Sequence, residues 1–156
     1  LGEHLILNLN KNSYFGSDIS KDVLIVGQNL IESREDLFLK KPRLVFQNNF
    51  MEIIDLANNE EINFFIFNSV FTHMSGDLIK DYLKQIKKFV KQDIIVLGDI
   101  SSPKDDYYKC WRGVDYFYSK DLFREMCLES GWNCKFYEDP LNKNNYFYKS
   151  NYFELS

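Results

Sequence analysis

The residues of this chain that can do chemistry fall at the ends of apolar runs. His73, one of two histidines, sits in the run Ser69-Val70-Phe71-Thr72-His73-Met74. An imidazole there can take a proton from a hydroxyl or an amine at neutral pH; its commoner role is to position a loop by hydrogen bonding. Asp18 closes the run Tyr14-Phe15-Gly16-Ser17-Asp18, and a carboxylate at such a strand end can accept from two neighbouring hydroxyls because both oxygens are acceptors. Taken alone it reads equally well as a helix-capping acid. Ile19, next to it, suits either a flat ligand face or a core. The polar turn Gln47-Asn48-Asn49-Phe50 offers an amide and a ring, or is simply an Asn-rich turn. Asn68 and Ser69 follow an apolar run and serve either as main-chain contacts or as a helix entry. Asp99 ends another run, facing a ligand or forming a turn before Ser101. Tyr107, Tyr108, Trp111, Tyr116 and Tyr118 then offer faces for a planar group, a sugar or a cation, or else form a lid packed on the sheet.

These groups need a scaffold, and the pattern between them supplies one. Short apolar runs alternate with segments of helical period, which argues for an α/β fold with a mostly parallel sheet. Ser13–Ile19 reads as a strand, with Ser20 as cap of the next helix. Val23–Val26 alone fits a strand, but Val23, Val26, Leu30 and Ile31 make one stripe at helical spacing, and a helix is the preferred reading. Leu44–Phe46 is a short strand, and a brief helix through Ile54 and Leu56 follows. Ile62–Phe67 is continuously apolar, as in a strand covered on both faces, and is expected in the middle of the sheet. Leu78, Ile79, Tyr82, Leu83, Ile86 and Phe89 repeat as a helix before the strand Ile94–Leu97. Ser101–Val114 has loop composition. Ser119 opens a helix with Leu122, Phe123, Met126 and Cys127 inward and Gly131 as its stop. Trp132–Tyr137 and Tyr146–Phe153 are expected to pair as an antiparallel hairpin at the sheet edge.

With 156 residues and 45% hydrophobic content the chain suits one domain with a real core. A net charge of -4 is the opposite of a phosphate-binding footprint, so nucleic acid is not expected as a partner. Three cysteines without metal-like spacing argue for a reducing compartment and against a disulfide frame or a metal site. No apolar run has the length of a membrane span and no signal peptide is evident, which makes the cytoplasm the expected location.

The run Ser69–Met74, directly after a buried strand and before a helix, resembles the segment following strand four in class I S-adenosylmethionine-dependent methyltransferases. Other features fall in that family's order. Tyr14–Ser20 looks like its second strand with the terminal acid, Phe46–Phe50 like the third strand and its turn, Tyr118–Trp132 like the late helix, and the terminal hairpin like strands six and seven. The resemblance implies S-adenosylmethionine as cofactor, with Asp18 on the ribose, Ile19, Asn49 and Phe50 on the adenine, and Asn68 and Ser69 beside the cofactor. It places an acceptor pocket at Asp99, Tyr107, Trp111 and Tyr118, with His73 as a candidate base and a small molecule as acceptor. Gly2 lies about 16 residues before Asp18, close to the family's spacing from its last loop glycine to the ribose acid. Leu1-Gly2 would then end that loop, with the first strand upstream of residue 1. A sheet lacking that strand would expose apolar edges and call for an upstream segment or a protein partner.

Three departures stand beside the resemblance: Asn49 where an acid is commoner, Asn63 for a frequent Asp, and Lys91-Gln92-Asp93 for a Gly-Gly turn. They keep a rival open, a catalytically inactive methyltransferase-like subunit. A second rival reads Val23–Asn29 as the strand and loop of a nucleotide-binding oxidoreductase, although a lone Gly27 lacks the spaced glycines that such a site needs.

Overall fold

A computed structural model describes residues 2–46, 50–60, 62–91, 93–103, 109–111, 115–137 and 148–156, with 103, 109–111, 115 and 148–150 by their backbone alone. The chain forms two compact units, Leu1–Ile53 and Ile54–Ser156.

In the first unit, α1 (Gly2–Asn8) precedes β1 (Phe15–Asp18), α2 (Lys21–Ser33), the single turn α3 (Glu35–Phe38) and β2 (Arg43–Phe46). β1 and β2 pair in parallel, Phe15 opposite Arg43 and Asp18 opposite Phe46. Ser20 caps α2 by accepting the Val23 N–H at 3.4 Å, as its position before an apolar period predicts. Val23–Asn29 therefore lies inside a helix, which removes the strand and glycine loop of the oxidoreductase reading. The inward side of α2 differs from the expected stripe. Ile31 joins Ile6 and Leu37 in the core, with Leu7, Tyr14 and Leu44 packed against it, whereas Val23, Val26 and Leu30 are exposed. Gly27 decides this: a Cβ there would lie 3.0 Å from Leu44 Cδ1, so the helix approaches β2 along its glycine side. Arg34 ties the ends together, pairing with Glu3 of α1 and Asp36 of α3.

α4 (Phe50–Asn59) leads into the second unit, which contains β3 (Phe64–Phe67), a 3-10 turn at Phe71–His73, α5 (Gly76–Phe89), β4 (Ile95–Pro103), β5 (Lys109–Trp111), β6 (Asp115–Phe117), α6 (Lys120–Glu129), β7 (Cys134–Tyr137) and β8 (Tyr148–Leu155). Its main sheet has the order β3-β4-β8-β7, and β5 and β6 form a small separate hairpin. β3 runs parallel to β4, while β8 is antiparallel to both β4 and β7. The terminal strands do pair antiparallel at the edge, with β8 inside and β7 outermost. The expected loop at Ser101–Val114 is partly strand: eight residues of β8 template β4 as far as Pro103, and Lys109–Trp111 pairs with Asp115–Phe117.

Alternation sorts the main sheet into two faces. Phe65, Phe67, Val96, Ile100, Phe153 and Leu155 are buried on one. There Phe71 stacks on Phe67 and Phe153 at ring separations of 4.7 and 5.7 Å, and Phe123 of α6 packs on Phe153 at 4.7 Å. α5 buries Ile79, Leu83 and Ile86 beside α6, and Trp132 donates its indole N–H to the Leu83 carbonyl at 3.0 Å. The helix boundaries follow their caps, Ser75 on the Leu78 N–H and Ser119 on the Leu122 N–H, and Gly131 at φ 84° ends α6. The other face is open: Phe64, Ile66, Tyr152 and Tyr137 are exposed. β3 is thus at the end of the four-stranded sheet rather than in its middle, since among the described residues no strand pairs with its other edge.

Candidate functional site

Within the first unit the candidate residues stand at the end of β1 and the starts of α1 and α4. Asp18 is the last residue of β1 and half-buried, and its Oδ1 accepts the Ser20 N–H at 2.7 Å. The carboxylate thus fastens the strand-to-helix turn with one oxygen, combining part of its capping role with acceptor capacity at the other. Ile19, directly beyond, is 79% exposed, so its side chain is surface rather than core. Gly2 opens α1, where a Cβ would lie 2.8 Å from the Tyr14 hydroxyl; a larger residue would displace the tyrosine that packs against the unit's core. Phe50 is buried at the start of α4. Asn49 lies outside the described residues.

Within the second unit, candidate residues stand at the exit of β3. Asn68 and Ser69 are exposed, and Ser69 adopts φ 54°, a left-handed conformation uncommon outside glycine. Both of its main-chain groups are engaged: its N–H donates to Asp99 Oδ1 at 2.6 Å, and its carbonyl accepts the Thr72 hydroxyl at 3.1 Å. Phe71, fully buried, drives the next turn into the aromatic stack, and this leaves His73 exposed on the surface of the turn. At the far end Met74 presents its carbonyl to the Tyr118 hydroxyl at 2.6 Å.

Asp99 and Tyr118, expected in an acceptor pocket, are both buried. Asp99 is 8% exposed and bound to Ser69. Tyr118 is 1% exposed and belongs to a buried polar chain: the Asn151 amide donates to Ser102 Oγ at 2.8 Å, and Ser102 donates to the Tyr118 carbonyl at 2.6 Å. This ring is an anchor in the core, since a buried phenol must find a partner and finds it on the Met74 carbonyl. Tyr107 and the side chain of Trp111 lie outside the described residues. Sequence reasoning missed the Asp99–Ser69 and Asn151–Ser102–Tyr118 links, which join residues 30, 49 and 16 positions apart. The available signal was a Ser and an Asn set among apolar strand residues, where a buried polar group needs a partner.

No family model and no curated protein sequence matches the chain. Solved structures do. A S-adenosylmethionine-dependent methyltransferase from Clostridium acetobutylicum superposes with a TM-score of 0.67 at 14% identity, covering 99% of this chain and 78% of that one. One from Methanosarcina mazei gives 0.66 at 8% identity over 99% of this chain and 85% of its own. Magnesium protoporphyrin IX methyltransferase from Synechocystis, with S-adenosylmethionine bound, gives 0.61 at 14% identity; there the match covers 90% of this chain and 57% of the enzyme. Identities this low speak to architecture, and fold alone does not fix chemistry. The chain has the Rossmann-like α/β fold of class I S-adenosylmethionine-dependent methyltransferases.

Proposed function

We propose that the chain binds S-adenosylmethionine and transfers its methyl group to a small-molecule acceptor. The observation that carries this reading is the end of β1, where Asp18 closes a parallel strand and Ile19 beyond it is exposed. A carboxylate with two acceptor oxygens fits vicinal ribose hydroxyls, and one oxygen engaged by Ser20 still leaves acceptor capacity. Ile19 would lie on the adenine, with Asn49 and Phe50 at its edge through an amide oxygen and the main chain. Gly2 would admit the ligand close to the backbone at the start of α1. Since the Ser69 N–H is already engaged, Asn68 and the Ser69 hydroxyl are the groups offered there.

The cofactor supplies an electrophilic methyl on a sulfonium, so the protein's part is alignment and exclusion of water. His73, exposed on its turn, is the candidate to take a proton from an acceptor hydroxyl or amine. Tyr107 and Trp111 are the proposed stacking groups for the acceptor. Tyr118 supports them only indirectly, by anchoring Met74. The net charge of -4 favours a small molecule over nucleic acid, and cysteines without metal-like spacing favour a reducing compartment, the cytoplasm.

The outer edge of β3 supports a further element of this reading. β3 ends the order β3-β4-β8-β7, and among the described residues no strand pairs with its other edge. An apolar strand, from a segment upstream or from a protein partner, would pair along it and complete the sheet. The same open edge favours, as second reading, an inactive subunit that pairs with an active one.

Calorimetric titration of S-adenosylmethionine and S-adenosylhomocysteine, into the chain and into a form extended upstream of Leu1, tests both. Micromolar binding that Asp18→Ala abolishes supports the methyltransferase reading. No heat in either form would overturn it in favour of the inactive subunit.

A further inference from the structure

We infer that Asp99 is a positioning residue, whose carboxylate holds Ser69 in its left-handed conformation so that Asn68 and the Ser69 hydroxyl face the ligand. This rests on the cofactor reading above and assigns Asp99 a different task from contact with the acceptor.

Register places the two residues together. Phe67, the last residue of β3, pairs with Gly98, so Asp99 stands one step beyond the point where β3 leaves the sheet. Its side chain belongs to the same face as Phe64 and Ile66, yet the residue is only 8% exposed and its carboxylate is bound to the Ser69 N–H. A carboxylate so enclosed needs donors in place of water, and the Ser69 N–H at 2.6 Å is one.

The conformation that this bond selects is not one serine prefers. At φ 54° the serine Cβ crowds its own backbone, and the left-handed state is disfavoured by about tenfold relative to the right-handed one. Something outside the residue must hold it, and the structure provides two contacts, Asp99 on the N–H and Thr72 on the carbonyl. Thr72 belongs to the same short segment and moves with it, whereas Asp99 belongs to the sheet. Asp99 is therefore the group that refers the loop to the rigid frame at its near end, as Tyr118 does at Met74. Between these pins Phe71 is fully buried, and Asn68, Ser69, Val70 and His73 remain exposed. Those exposed residues are the ones the cofactor and acceptor would meet. A ligand that needs the left-handed loop binds more weakly in proportion to the fraction of chains that lose it.

The test is S-adenosylhomocysteine titration by calorimetry, in the form that binds, with thermal unfolding measured on the same samples. Asp99→Ala should weaken affinity about tenfold. Asp99→Asn keeps an acceptor oxygen for the Ser69 N–H and should stay within about threefold of the parent. In the Ser69→Gly background, where glycine adopts positive φ freely, Asp99→Ala should cost only about twofold. Ser130→Ala removes a buried hydroxyl bonded to the Met126 and Lys80 carbonyls, away from the loop; it should lower the unfolding temperature with affinity unchanged. Equal affinity for Asp99→Ala and the parent, equal losses for Asp99→Ala and Asp99→Asn, or affinity that follows stability in Ser130→Ala would each overturn the inference. If neither the parent nor Ser130→Ala binds, the cofactor reading itself fails and takes the inference with it, a result distinct from the other three.

Discussion

Replacing Gly98 by alanine adds one methyl group at a closely packed point of the second unit. Gly98 lies in β4 between Phe67 of β3 and Phe153 of β8. A Cβ there would fall 2.6 Å from Phe153 Cζ and 3.1 Å from its Cε1, with the Phe67 carbonyl oxygen at 3.0 Å. Relief requires moving the ring by about 1 Å to restore ordinary carbon contact. The ring has nowhere to go: it is 1% exposed, lies parallel to Phe71, and touches Phe123 and Phe136. The carbonyl is part of the strand it pairs with and cannot swing aside. Overpacking of this kind costs about 2–3 kcal/mol, which lowers the midpoint of thermal unfolding by roughly 5–10 °C for a chain of this size. Circular dichroism melting and urea titration of the Gly98→Ala protein measure it. The same substitution in a Phe153→Leu background should cost less, because the ring contacts are gone and only the carbonyl contact persists. A Gly98→Ala protein within about 0.5 kcal/mol of the parent, or strict additivity of the two changes, would refute the claim that the aromatic stack fixes Phe153.

Tyr118→Phe should destabilise the protein by about 1–2 kcal/mol, since it leaves the buried Met74 carbonyl without its donor; an unchanged urea midpoint would show that water replaces the phenol. The two thiols at the α6–β7 junction should differ in reactivity. The Cys127 thiol hydrogen-bonds to Cys134 and holds it below the usual cysteine range, helped by Arg124 and opposed by partial burial, while the same bond and burial push Cys127 up. A lowered pKa means thiolate at lower pH, so the rate of Cys134 alkylation, followed by mass spectrometry, should rise with a midpoint at lower pH than that of an unperturbed thiol. Cys127→Ala should move that midpoint back up, and a Cys134 midpoint no lower in the parent than in Cys127→Ala would contradict the arrangement.

Much of the scaffold was legible along the chain because it depends on local signals. Ser20, Ser75 and Ser119 each sit before a helical period and each caps a helix, and Gly131 ends α6 with a positive φ. The strands at Phe15–Asp18, Arg43–Phe46 and Phe64–Phe67 carry short apolar runs, and Asp18 stands at a strand end. What the sequence could not convey depends on the partner across space. The helical spacing of Val23, Val26 and Leu30 is real, but which side of α2 turns inward was settled by the close approach of Leu44 to Gly27. Ser101–Pro103 reads as loop by composition and is strand because β8 is long enough to pair with it.

The candidate site divides along the same line. Residue types and order along the chain placed Asp18 at the end of β1 and Asn68 and Ser69 directly after β3, whereas Asp99, expected to close its strand, lies inside β4 because β8 pairs with that strand as far as Pro103. Only the tertiary structure decided what those groups do with their hydrogen bonds. It committed Asp99 to the Ser69 N–H and Tyr118 to the Met74 carbonyl, taking both out of the exposed surface. The reason is physical. Periodicity and capping are read within a turn or two of the chain, whereas a buried polar group must be satisfied by whatever the fold brings near it.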